Sequence, residues 1–214
     1  MTTETMTIHK ALSELKLLDS RIQSALMTGV FCSGKKHSEK YVNGVPVEEV
    51  IINIQSSYDK VTDLINRRKA IKRAVVLSNA RTEVEIAGTT YTVAEAIEMK
   101  NHGIEYDKKL MNVMNKRFAD LTFTANNQNG DNLDRMAENY ITSLYGNKES
   151  RKGIATEAEE ARQKFLESNC FEIIDPLHVQ DIVSDLEDYI NGFMAEVDSA
   201  LSCSNALTTI TIEY

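Results

Sequence analysis

Apolar residues recur along this chain at spacings that alternate between three and four, in several long runs. From Thr7 to Met27 the series Ile8, Ala11, Leu15, Leu18, Ile22 and Ala25 forms a heptad-like stripe. Such a stripe is one face of an α-helix. Thr7 stands before it and suits an N-cap. Residues 28–45 interrupt the pattern with Gly29, Gly34, Lys35, Lys36, Lys40 and Asn43-Gly44, which predicts an exposed basic connector. Pro46 suits the first turn of a second helix. Val47, Ile51, Ile54, Tyr58, Val61 and Ile65, continued by Ile71 and Val75, carry that helix to about Leu77.

The period then drops to two. Thr82 to Ile86 alternates, Ala87-Gly88 supplies a turn, and Thr89 to Val93 is rich in β-formers, so 82–93 reads as a hairpin. Thr92 and Glu95 have capping-box spacing and predict the start of a third helix. Its stripe is Val93, Ile97, Ile104, Met111, Met114, Phe118 and Leu121, with Gly103 as a point of bending. The polar run Ala125–Asn132 (ANNQNGDN) reads as a loop. It divides one continuous structural unit into 1–124 and 125–214. A short helix over Leu133–Leu144 stops at Gly146. Thr156 and Glu159 predict another helix start, and Cys170–Ile174 an extended apolar link. Asp175 and Pro176 then predict the start of a long last helix, carrying Val179, Val183, Leu186, Ile190, Phe193, Val197 and Ala200. Thr208–Glu213 alternates again, with Ile210 and Ile212 on one face of a strand.

One internal echo stands out. Residues 78–86 read SNARTEVEI and residues 204–212 read SNALTTITI. Both are the end of a long helix turning into a strand. The echo predicts two similar corners that meet, with strand 208–213 joining the 82–93 hairpin in a three-stranded sheet. The expected fold is mainly α: long antiparallel helical hairpins in a coiled-coil-like bundle, with a small antiparallel β-sheet.

Composition agrees with long helices, because 214 residues include only 2 prolines and 9 glycines. The formal charge of −8 is uneven. Residues 1–120 hold 18 basic and 15 acidic side chains, against 6 and 17 in residues 121–214. Opposed ends of this kind favour approach between copies or toward a charged partner. Cys32, Cys170 and Cys203 are widely spaced, without a zinc-type pair, and read as reduced thiols. No long apolar run predicts a signal core or a membrane span, so the expectation is a soluble chain made in the cytoplasm.

Candidate chemistry is sparse. Glu48-Glu49, Glu159-Glu160 and Asp185 with Glu187-Asp188 fall on polar helix faces, where carboxylates stay solvated. His9, His37, His102 and His178 lack metal-ligand spacing. Gly146–Gly153 (GNKESRKG) lacks the glycine-lysine-serine/threonine ending of a phosphate loop. These readings predict no catalytic residue, no metal and no cofactor. The strongest cluster is Arg67, Arg68, Lys69, Lys72 and Arg73, which spreads around a helix. Its structural reading is a solvated stretch pairing with Asp59, Asp63 or the acidic last helix. Its functional reading, through Arg67, Arg68, Lys72 and Arg73, is contact with phosphates or an acidic partner.

The stretch Ser78–Lys109 (SNARTEVEIAGTTYTVAEAIEMKNHGIEYDKK), a β-hairpin followed by a Thr-Val-Ala-Glu-Ala helix start, resembles a segment of uncharacterised helical proteins of tailed phages and prophages of Gram-positive bacteria. Residues 1–27 are similar more loosely. The resemblance implies a phage particle or its assembly as the setting, and no activity. The expected function is therefore a non-catalytic structural or assembly protein, plausibly a virion component. It would bind copies of itself or other virion proteins through helix faces, or through strand 208–213 with Ile210 and Ile212. The alternative is a nucleic-acid-binding helical hairpin using the 67–73 cluster. A third is an enzyme whose site is composed from distant residues.

Overall fold

The structure is a computed structural model and describes residues 2–150 and 152–214. It is mainly α-helical with small two-stranded antiparallel sheets. In chain order the elements are β1 (Thr3–Thr7), α1 (Ile8–Thr28), β2 (Tyr41–Val42), β3 (Val45–Pro46) and α2 (Val47–Asn79). β4 (Glu83–Ile86), β5 (Thr89–Thr92), α3 (Val93–Glu98), a π-helical turn (Met99–Gly103) and α4 (Ile104–Asn129) follow. The chain ends with α5 (Asp131–Tyr145), α6 (Ala155–Asn169), α7 (Val179–Leu207) and β6 (Thr209–Glu213). Contacts divide it into two compact units, residues 1–103 with 192–214, and residues 104–191. The boundaries fall at 103/104 and 191/192 rather than at 124/125. The expected loop at 125–132 is helical up to Asn129, because Ala125 is buried and only Gly130 interrupts.

In the first unit α1 and α2 form the expected antiparallel hairpin. Every residue of the predicted α1 stripe is buried, and the Thr7 hydroxyl accepts a hydrogen bond from Lys10 N–H at 3.2 Å. The connector from α1 to α2 includes the short β2–β3 hairpin, closed by Asn43 and Gly44 at positive φ. The expected three-stranded sheet does not form. β6 pairs instead with β1, from Thr3 opposite Glu213 to Thr7 opposite Thr209, and β4 pairs with β5. Met6, Ile210 and Ile212 point from the β1–β6 ribbon into a core with Ile8, Ala11, Leu15, Leu18, Ile71 and Val75.

The two ribbons are nonetheless built alike. In one, Thr82 N–H donates to Ser78 C=O at 2.8 Å, and Thr82 C=O accepts from Val93 N–H at 2.8 Å. In the other, Thr208 N–H donates to Ser204 C=O at 2.9 Å, and Thr208 C=O accepts from Ile8 N–H at 2.9 Å. Each ribbon thus leaves a long helix through Ser-x-x-x-Thr and enters the next helix under a threonine cap, Thr92 or Thr7. The return strands echo each other too. Thr90-Tyr91-Thr92-Val93 with Ala96 matches Thr5-Met6-Thr7-Ile8 with Ala11, and both alanines are fully buried. The β4–β5 ribbon closes through Ala87 and Gly88 at positive φ, the left-handed pair that a tight hairpin requires. Phe193 of α7 packs edge-to-face on Tyr91 beneath it, at 5.7 Å. At Thr92 the capping box forms as predicted, with the Glu95 carboxylate accepting from Thr92 N–H at 2.7 Å.

In the second unit α5 and α6 pack through Leu133, Ala137, Ile141 and Ala158, with Tyr140 stacked on Phe165 at 4.7 Å. Arg162 joins Asp134 at 2.6 Å. α6 starts at Ala155, one residue before the predicted Thr156 cap and without a side-chain cap. Arg151, in the 146–153 loop, lies outside the described residues. The segment after α6 is fastened by Asn129, whose side chain accepts from Phe171 N–H at 2.7 Å and donates to Phe171 C=O at 2.8 Å. The last helix begins at Val179, not at Pro176. His178 takes a positive φ, which breaks the helix there, and the Asp175 carboxylate reaches forward to accept from Val179 N–H.

Candidate functional site

Strand alternation determines what β6 offers to a partner. Thr2 and Tyr214 exchange both backbone hydrogen bonds, and Thr208 bonds to Ile8. In an antiparallel ladder, bonded and non-bonded pairs alternate. Residues 210, 212 and 214 therefore turn their N–H and C=O toward β1, as Thr208 turns its C=O, and Thr209, Thr211 and Glu213 turn theirs to the opposite edge. Among the described residues that edge carries no strand, because the sheet ends at β6. Ile210 and Ile212 meanwhile send their side chains into the core.

Beside this edge lies an open groove of about 930 Å³, bounded by β6 and one side of α2. Lys69, Arg73 and Leu77 line its α2 side, with Arg81 just past the helix end. The four-residue spacing of Lys69, Arg73 and Leu77 puts them in one row on α2, and Arg81 lines the same groove beyond it. No ion pair engages Lys69, Arg73 or Arg81 among the described residues, and all three are exposed. Glu213 is the one acidic side chain in the groove wall.

The basic cluster named from sequence therefore separates by helix face. Arg67 turns toward α1 and β1, where its guanidinium binds Glu14, Glu4 (2.8 Å) and the Tyr214 hydroxyl, and lies 4.7 Å over the Tyr214 ring. Bonding to Glu14 and then Glu4 raises the Arg67 pKa further, against the opposing effect of burial. The Arg67 hydrogen bond, followed by that of Lys10, holds the Glu4 carboxyl below its ordinary value. Arg68 pairs with Asp19. The carboxylate partners of these two arginines come from β1 and α1, not from Asp59, Asp63 or α7, because α1 lies against their face of α2. Lys72 is exposed outside the groove lining. Arg73 lines the groove, as do Ile210 and Ile212 through the strand they belong to. Lys69, Leu77 and Arg81 are the residues that the sequence reading underused. Their four-residue spacing was visible, but their closeness to β6 was not.

The described residues include no buried polar or charged side chain, and no group of His, Cys, Asp and Glu arranged to hold a metal. Among the described residues no helix is long and apolar enough to cross a membrane. Compared with protein-family models, curated proteins and solved structures, the chain matches none.

Proposed function

We propose that this chain is a non-catalytic structural or assembly protein that works through protein–protein contacts. The observation that carries the reading is the unpaired edge of β6, set beside a groove rather than covered. Natural proteins usually protect such an edge, because it is a template for another strand. Helix faces left open inside their own units add support. Of the 26 residues of α4 only Ile104 and Ala125 are buried, while Leu110, Val113, Leu121 and Phe123 are exposed. The first turns of α2 expose Ile51, Ile52 and Tyr58. The resemblance of residues 78–109 suggests a tailed-phage particle as the setting of that assembly, with further copies or other virion proteins as partners. The nucleic-acid reading loses weight, because Arg67 and Arg68 are already engaged by carboxylates. The test is mass measurement of the purified chain by light scattering, together with its recovery from purified particles after expression in an infected host. A strictly monomeric chain absent from particles overturns the proposal.

A further inference from the structure

Resting on that reading, we infer that the groove between α2 and β6 takes an extended acidic segment of a partner protein, added as a third strand antiparallel to β6. The free edge supplies the hydrogen bonds, through N–H and C=O of Thr209, Thr211 and Glu213. The helix supplies selectivity. An added strand lies about 4.8 Å from β6, and every second side chain faces α2, with a repeat of about 6.7 Å. Lys69, Arg73 and Leu77 follow each other at about 6 Å along α2, and Arg81 stands just past its end. The two repeats match closely enough for one strand residue to meet each helix residue. Arg67 at the Tyr214 end shows that α2 passes β6 in the opposite direction. A strand antiparallel to β6 therefore runs with α2, and its inward residues should read acidic, acidic, apolar, acidic.

Charge also decides against a second copy as occupant. A two-fold β6–β6 pairing would bring Lys69, Arg73 and Arg81 toward their own duplicates, an arrangement that like-charge repulsion disfavours. Nor is the basic row a general feature of this architecture. In the equivalent corner, aligned through Ser78 with Ser204, α7 carries Ala195, Ser199, Cys203 and Leu207 at the matching places.

The probe is a blocked heptapeptide, Glu-Thr-Glu-Thr-Leu-Thr-Glu, titrated against the full chain by calorimetry or fluorescence anisotropy. Binding should weaken about tenfold or more in Arg73→Glu and in Arg81→Glu, and stay within about twofold in Lys72→Glu, which lies outside the groove. Thr211→Pro removes an edge N–H without removing a ladder bond to β1, and should abolish binding while the thermal unfolding curve persists. N-methylation of the peptide amides that face β6 should abolish binding with every charge retained. No binding, equal binding of the N-methylated peptide, or equal binding of a Lys-for-Glu peptide overturns the inference. So does displacement of the peptide by a single-stranded oligonucleotide, or a dimer that Thr211→Pro dissolves. Because particle recovery and mass are measured separately, a peptide that fails beside a chain that still assembles refutes the groove assignment alone.

Discussion

Ile71 and Ile52 lie on the same helix in opposite circumstances: Ile71 is 0% exposed and Ile52 is 65% exposed. Replacing either by alanine changes intrinsic helix propensity alike, by a few tenths of a kcal/mol in favour of alanine. The difference between the two variants therefore isolates burial. At Ile71 three carbons leave the core, which at about 0.8 kcal/mol each removes about 2.4 kcal/mol. An unrelaxed hole of roughly 65 Å³, at about 24 cal/mol per Å³, adds about 1.5 kcal/mol. The expected loss is about 4 kcal/mol, which moves a urea midpoint down by about 2 M for a slope near 2 kcal/mol/M. Ile52→Ala should stay within about 0.5 kcal/mol. Far-UV circular dichroism in urea, at low and at high protein concentration, reads both. Equal losses at both sites and both concentrations would refute the packing described here. A loss at Ile52 confined to high concentration would show a second copy covering the start of α2.

Arg67→Met should lower the urea midpoint clearly more than Arg68→Met. The first leaves Glu4 and Glu14 close together without their shared cation, while the second breaks one exposed pair with Asp19. Equal effects in the same titration would contradict that ranking. Acid should weaken the fold from about its carboxylate range downward. Glu4 and Glu95 are held below the ordinary 4.5 by Arg67 and by the Thr92 cap, respectively. The unfolded chain then takes protons first, and the contribution is lost as pH falls through the folded values. Urea midpoints between about pH 6 and about pH 3 should fall, and fall less steeply in Glu4→Gln/Glu95→Gln. Thr92→Ala should cost about 1 kcal/mol by loss of the cap on α3, and Thr92→Asn much less; the same urea curves report it.

Local periodicity was readable wherever neighbours in sequence decide the outcome. The α1 stripe, the capping box at Thr92–Glu95, the Ala87-Gly88 turn and the glycine stop at Gly146 all follow from local sterics and hydrogen bonds. What failed were pairings between distant segments. β1 contains one large apolar residue, Met6, and nothing in its five residues names β6 as partner. The run 125–132 is polar enough to read as a loop, yet burial of Ala125 keeps it helical as far as Asn129. The basic cluster was visible as charge, but its division into Arg67 and Arg68, engaged by carboxylates, and Lys69, Lys72 and Arg73, which no ion pair engages among the described residues, depends on where α1 and β1 lie.

The repeated corner joins these points. Two stretches of similar sequence build the same helix-to-ribbon-to-helix passage, so shared positions report what the fold requires and differing positions report what each copy adds. Shared are the serine and threonine at the bend, the threonine cap and the buried alanine one turn into the next helix. At the place of Arg67 on α2 the other copy has Phe193 on α7, which is fully buried and meets Tyr91. One site is sealed by an aromatic contact and the other by an arginine that ion-pairs with Glu4 and Glu14 and holds the hydroxyl and ring of Tyr214. The row Lys69, Arg73, Arg81 has no charged counterpart on α7, although both helices carry a ribbon of the same construction. Stability of the corner therefore does not demand those cations. Among the described residues no ion pair engages these exposed cations, which stand beside an open strand edge, and the proposed acidic strand would bring the negative charge and the backbone to meet both.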